Sequence, residues 1–362
     1  MSEQSKGARV SIFQKLLAAM LLVAIIPLAS VWLVSRNNAI QDWTGNIDRQ
    51  LAGTANSLAD EVNNWVDLNR RLMEQNAQTS AIRSMDKEKQ DPILRSIKNT
   101  YEWVNLAFTI DPQGNNIGRS DNRPPNPTDS RPFYKAVMAG APLGHQIVMG
   151  ITSGKPALIL GAPIHGEDPN NILGVIALGM TLEKLSSTIT TMKIGDTGFA
   201  FLLDENGKVI AHPKLDMSQK RLDFSQHPAF LDANAKDSGL FVYTEDGKKI
   251  IAYSKKTKMG WNVVVQQDYD EAFAPVRDAD INAMILLAVT LVAASLVAYF
   301  VSRRFTKPII GLTAVANEMS RGKLGLKIAE TARRDEIGDL AHAIERMGVS
   351  IRLAMERLRK KD

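Results

Sequence analysis

The chain has 362 residues, 44% of them hydrophobic and 23% charged, with 44 Lys+Arg against 39 Asp+Glu and a formal net charge of +5. Mixed sequence of this length argues for two or three folded domains rather than disorder. The absence of cysteine excludes disulfide stapling, thiol catalysis and every cysteine metal site.

Two stretches without a charged side chain stand out, Leu16–Val34 and Ile281–Val301. At about 1.5 Å per residue they reach roughly 28 and 31 Å, the thickness of a bilayer's hydrocarbon core. Both therefore read as transmembrane helices. A cleaved signal peptide is the alternative for the first, but its apolar run is long for that role and no Ala-x-Ala site follows. Residues 1–15 carry a net +2 and residues 302–362 a net +6, which leaves −3 for residues 35–280. The positive-inside rule places both ends in the cytoplasm and the long loop outside, as in a multi-pass protein of a bacterial inner membrane. The basic charge then faces anionic lipid, and a nucleic-acid partner is not implied.

After the first span, Ile40, Trp43, Ile47, Leu51, Leu58, Val62, Trp65 and Leu72 recur largely at helical spacing, predicting a long amphipathic helix. Asp91-Pro92 reads as the end of the next helical stretch. From about Glu102 the period becomes that of strands: 103–110, 146–151, 157–163 and 172–180, then a helix over 182–192. A second group follows at 198–203, 208–211, 240–244, 249–254 and 261–267. The turns Asp111-Pro112-Gln113-Gly114 and Asp204-Glu205-Asn206-Gly207 are hairpin signals. The fold class is α+β, with two small antiparallel sheets sharing one long helix.

Three segments in this loop resemble double Cache sensor domains: Phe199-Ala200-Phe201-Leu202-Leu203-Asp204 through Val209-Ile210-Ala211-His212-Pro213, Gly154-Lys155-Pro156 with Ala162-Pro163-Ile164, and Asp129-Ser130-Arg131-Pro132-Phe133-Tyr134. The resemblance covers roughly 40–275. It implies a distal module (about 90–182) and a proximal one (about 193–270), with a small ligand held in the distal module. Arg131, Phe133 and Tyr134 match the family's ligand-binding segment. The planar guanidinium of Arg131 suits a carboxylate, and the rings would flank it. Trp103, Asn105, Phe108 and Asp121 are candidates for the opposite wall. Asp129 either joins the site or pairs with Arg131 across a turn. Amino-acid-binding members also carry acids where this chain reads Val148-Met149-Gly150 and Leu178-Gly179-Met180. The expected ligand is therefore an organic acid or another small solute, and not an amino acid.

Beyond the second span, Lys307-Pro308 reads as a helix start. Arg321-Gly322-Lys323-Leu324-Gly325 breaks that helix, and a second helix carries Ile337, Leu340, Ile344, Met347, Ile351, Ala354 and Leu358 at three- and four-residue steps. With Asp335-Glu336-Ile337-Gly338 at its start, the segment 303–355 resembles a HAMP domain, although Glu345 replaces the usual Asn. The resemblance implies a homodimeric helical bundle, with Pro308, Gly322, Asp335, Glu336, Ile337, Gly338, Leu340, Ile344 and Met347 in the signal relay. Residues 356–362 form a short tail, so output would pass to a cytoplasmic signalling protein in trans. No cofactor or metal is expected, since the five histidines lack ligand spacing. The leading expectation is a non-enzymatic transmembrane receptor, in chemotaxis or a two-component-like pathway. The alternatives are a dimerising scaffold and a tethered hydrolase.

Overall fold

The computed structural model describes residues 12–121, 123–124, 128–150, 156–168, 170–215 and 221–359. Gly154, Lys155 and Ile151, which figure in the sequence motifs, lie outside the described residues. The chain divides into two units: residues 42–274 form one, and residues 1–41 with 275–362 form the other.

Helix α1 (Ile12–Ala77) is unbroken for 66 residues. In the 42–274 unit it is followed by a single turn α2 (Ser80–Arg83) and by α3 (Lys87–Thr100). Pro92 lies inside α3 rather than at its end. Asp91 beside it is buried, with its carboxylate taken by Lys87 at 2.7 Å and by the Arg119 amide at 2.8 Å. Proline costs a helix least in its early turns, where few N–H groups have partners to lose.

A five-stranded antiparallel sheet comes next, built from β1 (Val104–Ile110), β2 (Asn116–Arg119), β3 (Gly144–Met149), β4 (Pro156–His165) and β5 (Ile172–Thr181). Its order is β2-β1-β5-β4-β3, and α4 (Pro132–Met138) covers one face. Helix α5 (Glu183–Thr191) leads to the second sheet: β6 (Lys193–Ile194), β7 (Gly198–Leu203), β8 (Val209–Ala211), then α6 (Pro228–Ala235), β9 (Ser238–Glu245), β10 (Lys248–Lys256) and β11 (Asn262–Asp268). Its order is β6-β7-β11-β10-β9, with β8 beside β7. The short helix α7 (Tyr269–Ala272) ends this unit's chain. Both Asx-Gly turns form as read, with Gly114 and Gly207 at φ +88° and +78°, where a side chain would be strained.

Alternation along each strand separates two faces. Leu158, Leu160, Ile176 and Leu178 of the first sheet join one buried cluster with Leu202, Val263 and Val265 of the second and Ile47, Leu51, Leu58 and Val62 of α1. The long helix is thus the shared wall of both sheets, which explains why its apolar stripe is so long. Trp43, Trp65 and Leu72 pack at the margin of that cluster.

In the other unit, α8 (Ala274–Ser320) runs straight through Pro308. The expected helix start there is not formed: Pro308 sits mid-helix, removing one backbone N–H from the ladder. A connector with Gly322 and Gly325 at positive φ leads through a 3₁₀ turn (Ala329–Ala332) to α9 (Glu336–Arg359). Leu312, Met319, Ile328, Ile337 and Ala341 form its core, with Leu324 and Ile344 packed against it. Of the expected seam on α9, Leu340 and Met347 are exposed, while Ala341 and Gly348 face inward. The apolar stripe is therefore two adjacent rows, one closed within the chain and one open. Asp335 accepts from the Gly338 amide at 3.1 Å, and the Arg333 guanidinium beside it holds its carboxyl down at about 2.

Candidate ligand-binding site

The first sheet turns its second face to α4. Phe108 and Ile110 of β1, Val175 and Ala177 of β5, and Phe133, Tyr134 and Val137 of α4 form a separate buried cluster. Close approach is built in by two glycines paired across β3 and β4, Gly144 and Gly161. A Cβ on Gly144 would stand 2.0 Å from the Phe133 carbonyl oxygen, and one on Gly161 would stand 2.9 Å from the Phe133 ring.

Phe133 and Tyr134 are buried to 1% and 5% exposure. Phe133 meets Phe108 edge to face at 6.3 Å, and the Tyr134 hydroxyl donates to the Asp111 carbonyl at 3.0 Å. These rings hold α4 on the sheet. Arg131 is different: it caps the start of α4, is exposed, and forms no ion pair among the described residues. Asp129 is also exposed and does not pair with it. Tyr134 has its hydroxyl pushed up by burial and by the charges of Asp111 and Asp129.

The opposite wall departs from expectation in three places. Trp103 donates its indole N–H to Asn69 of α1 at 2.9 Å, and so belongs to the α1 face. Asn105 is exposed beside a register shift between Val104 and Leu106. Asp121 does lie near Phe108, but its carboxylate is engaged by Arg119, at 2.9 and 3.0 Å, and that guanidinium stacks over the Phe108 ring at 5.9 Å. Burial raises the Asp121 carboxyl, and the bonds from Arg119 and the Arg123 amide outweigh it, leaving the group below the usual range. Sequence reasoning missed Arg119, since only the hairpin register brings it opposite Phe108. On β3, the Gln146 side-chain oxygen is buried and has no hydrogen-bond partner among the described residues.

A separate concavity of about 850 Å³ opens where α1 ends, between Gln78, Arg83, Pro142 and His165. Its charged groups are already engaged: Arg83 donates to the His165 and Gly166 carbonyls, and Glu74 pairs with Arg70. It lacks the free guanidinium found at the start of α4.

In the second sheet the corresponding face is filled by rings. His212 lies among Phe199, Phe201 and Phe224, and His227 stacks on Phe224 at 4.6 Å. Burial, with Lys214 and His227 nearby, pushes His212 down from 6.5 to about 4. Between those values the unfolded chain binds a proton that the folded chain refuses, so stability falls as pH drops from 6.5 to 4 and levels off below. We expect His212→Phe to remove a pH-dependent loss on the order of 1–2 kcal/mol in that window, measured by denaturant unfolding of both chains at several pH values. The exit from this sheet is tied down. Glu271 of α7 accepts from the Asp196 and Thr197 amides at 2.7 and 3.0 Å, and Trp43 of α1 donates to the Ala272 carbonyl at 2.7 Å.

Two antiparallel sheets packed side by side on one long helix define the class of fold. The Cache-domain model dCache_1 matches residues 35–276 and the HAMP-domain model residues 300–353, so the chain belongs to the double Cache family. In sequence, the Cache domain lies between the two long apolar runs and the HAMP domain follows the second. The chain is 27% identical over 356 residues to the methyl-accepting chemotaxis protein McpA of Bacillus subtilis, covering 94% of this chain and 51% of that protein. To TlpA of the same organism it is 31% identical over 227 residues, covering 61% of this chain and 32% of the relative. The chain thus spans about half the length or less of these curated relatives. Among solved structures, the ligand-binding domain of Mlp24 with asparagine matches at TM-score 0.53 and 17% identity, over 67% of this chain and 99% of that one. The Pseudomonas aeruginosa PctB domain with L-Arg matches at 0.50 and 22%, over 64% and 98%.

The exclusion of amino acids is thereby overturned, because domains of this fold hold asparagine, L-Arg and, in Campylobacter jejuni Tlp3, L-valine. Its physical weakness is clear. Missing acids at two aligned positions constrain those positions only, and an ammonium is satisfied by any acceptor that the fold brings within reach.

Proposed function

We propose that the chain is a two-span inner-membrane receptor that binds an amino acid in the distal Cache module and relays the event through HAMP to a cytoplasmic partner. One observation carries the binding half: Arg131 at the start of α4 is exposed and forms no ion pair among the described residues, two residues from Phe133, which packs on Phe108. A planar donor fork left free in this way suits a carboxylate. The relay half is supported by Glu271 and Trp43, which fasten the second sheet and α1 to the segment leading into α8. A ligand biases such a system only by its difference in affinity for two states of the sensor. No nucleophile–base–orienter set stands at the Arg131 opening among the described residues, which favours reception over hydrolysis.

The test is calorimetric titration of the full chain in nanodiscs with L-asparagine, L-arginine, L-valine and L-serine. Micromolar binding of at least one is expected, and Arg131→Ala should weaken it at least tenfold, since a charge-assisted bidentate contact is lost. Absence of binding across the panel, or binding indifferent to Arg131→Ala, rejects the reading.

A further inference from the structure

Strand β3 has a face toward each of its two neighbours. It is an edge strand, hydrogen-bonded within the sheet to β4 alone. On the α4 side, its Gly144 lies directly under the Phe133 carbonyl. Alternation turns the next residue, His145, to the opposite face, where the first sheet meets the second. There the His145 ring stands edge-on to Trp261, which precedes β11, at 6.4 Å between centroids. Its Nε2 is 3.5 Å from Oε1 of Glu205, in the turn between β7 and β8. One strand thus carries α4 on one side and a polar contact to the second sheet on the other.

The Glu205 side chain is held loosely. At 3.5 Å from His145 it lies beyond the roughly 2.7–3.2 Å of a formed hydrogen bond, and the contact from the Asn206 side-chain amide is 3.4 Å. The turn beneath it is fixed by contrast. Asp204 is buried, pairs with Arg221, and accepts from the Asn206 and Lys208 amides, each at 2.9 Å. Trp261 is fully buried, and its indole N–H is sealed from solvent with no hydrogen-bond partner among the described residues. A buried donor left unpaired is a standing cost. That indole is still close enough to Glu205 to favour its charge. Burial raises the Glu205 carboxyl, and His145, the backbone amide of Glu205 and Trp261 together outweigh it, leaving the group below the usual range. One carboxylate therefore has two claimants, one on each sheet, and satisfies neither fully.

We propose that Glu205 is a two-position tie between the sheets, meeting His145 while β3 lies close and accepting the Trp261 indole N–H when β3 draws away. The assignment rests on the receptor reading given above and adds to it how the first module addresses the second. A shift of α4 reaches the β3 backbone directly, because Gly144 puts no side chain between them. His145 moves with Gly144, and the edge position lets β3 do so against a single strand ladder. The far end of the exchange is β11, which pairs with β7 and leads into α7. A side chain with two discrete partners supplies the two-state element that energetic coupling between modules needs.

The experiment follows the Trp261 indole proton by NMR on the full chain in nanodiscs, with isotope-labelled tryptophan. Five indole signals are expected. Trp261 is assigned by its loss in Trp261→Phe, or by elimination through the other four if that variant does not fold. His145→Leu removes the competing partner while keeping an apolar contact, and should move the Trp261 proton downfield as Glu205 turns to it. Adding Glu205→Ala should abolish that shift. L-asparagine, L-arginine, L-valine and L-serine are the ligand probes, and any that binds by calorimetry should move the signal in the same direction as His145→Leu. A Trp261 proton indifferent to His145→Leu, or a shift that survives Glu205→Ala, overturns the exchange. Binding of a probe without movement at Trp261 overturns its part in the relay. If none of the four binds, the amino-acid reading fails, and the two variants alone decide whether the carboxylate changes partner.

Discussion

Phe133→Ala is expected to destabilise the packing of α4 on the first sheet by about 3–5 kcal/mol, the range for removing a fully buried ring. The ring is 1% exposed, meets Phe108 edge to face, and lies on Gly161. Collapse around the void is hard here. The neighbours beneath it are Gly144 and Gly161, which have no side chain to move into the space. Helix α4 itself is only seven residues long, too short to hold its shape without packing. Loss of Phe133 should therefore free α4 and carry Arg131 with it, abolishing ligand binding along with stability. Phe133→Leu keeps most of the apolar volume and should cost about 1–2 kcal/mol, with binding retained. Denaturant unfolding of the two variants beside the unmodified chain gives the comparison. Equal and small losses would mean that α4 is held by something other than this ring.

The frame of this fold is legible from the sequence because it rests on period and turn chemistry. Two charge-free runs, a helical stripe from Ile47 to Leu72 and two Asx-Gly hairpins appear where residue spacing puts them. The site is less legible, for a reason that β1 makes concrete. Unbroken alternation would set Val104, Leu106, Phe108 and Ile110 on one face. The register shift between Val104 and Leu106 moves Val104 to the α1 side, leaving Leu106 with Phe108 on the α4 side. Trp103 then reaches Asn69, and Asn105 is left outside. Sequence alternation separates two faces but does not say which one meets the ligand. The motif at 131–134 misleads in a related way: its residues sit together, yet the backbone sends the guanidinium out and both rings in.

The same separation of faces governs α9, where two neighbouring residues should give opposite results. Ala341 is fully buried against α8 and the connector, whereas Leu340 is 47% exposed. Ala341→Asp would place a carboxylate in that core with no cation opposite it, at a cost of about 3 kcal/mol or more. It should unfold the α8–connector–α9 packing. Leu340→Asp adds charge to an exposed position and should leave the packing within one chain nearly unchanged. Leu340, Met347, Ile351 and Met355 nevertheless make a continuous exposed apolar row, and water alone is a poor cover for it. If a second copy covers that row, as the dimeric reading requires, Leu340→Asp disrupts association rather than folding. Because the chain has no cysteine, a single Met347→Cys reports on that association directly. It should cross-link in membranes, and added Leu340→Asp should abolish the cross-link while protease resistance of the tail survives. Added Ala341→Asp should remove both. Cross-linking that persists through Leu340→Asp would place the contact between copies elsewhere and leave the open row to another partner.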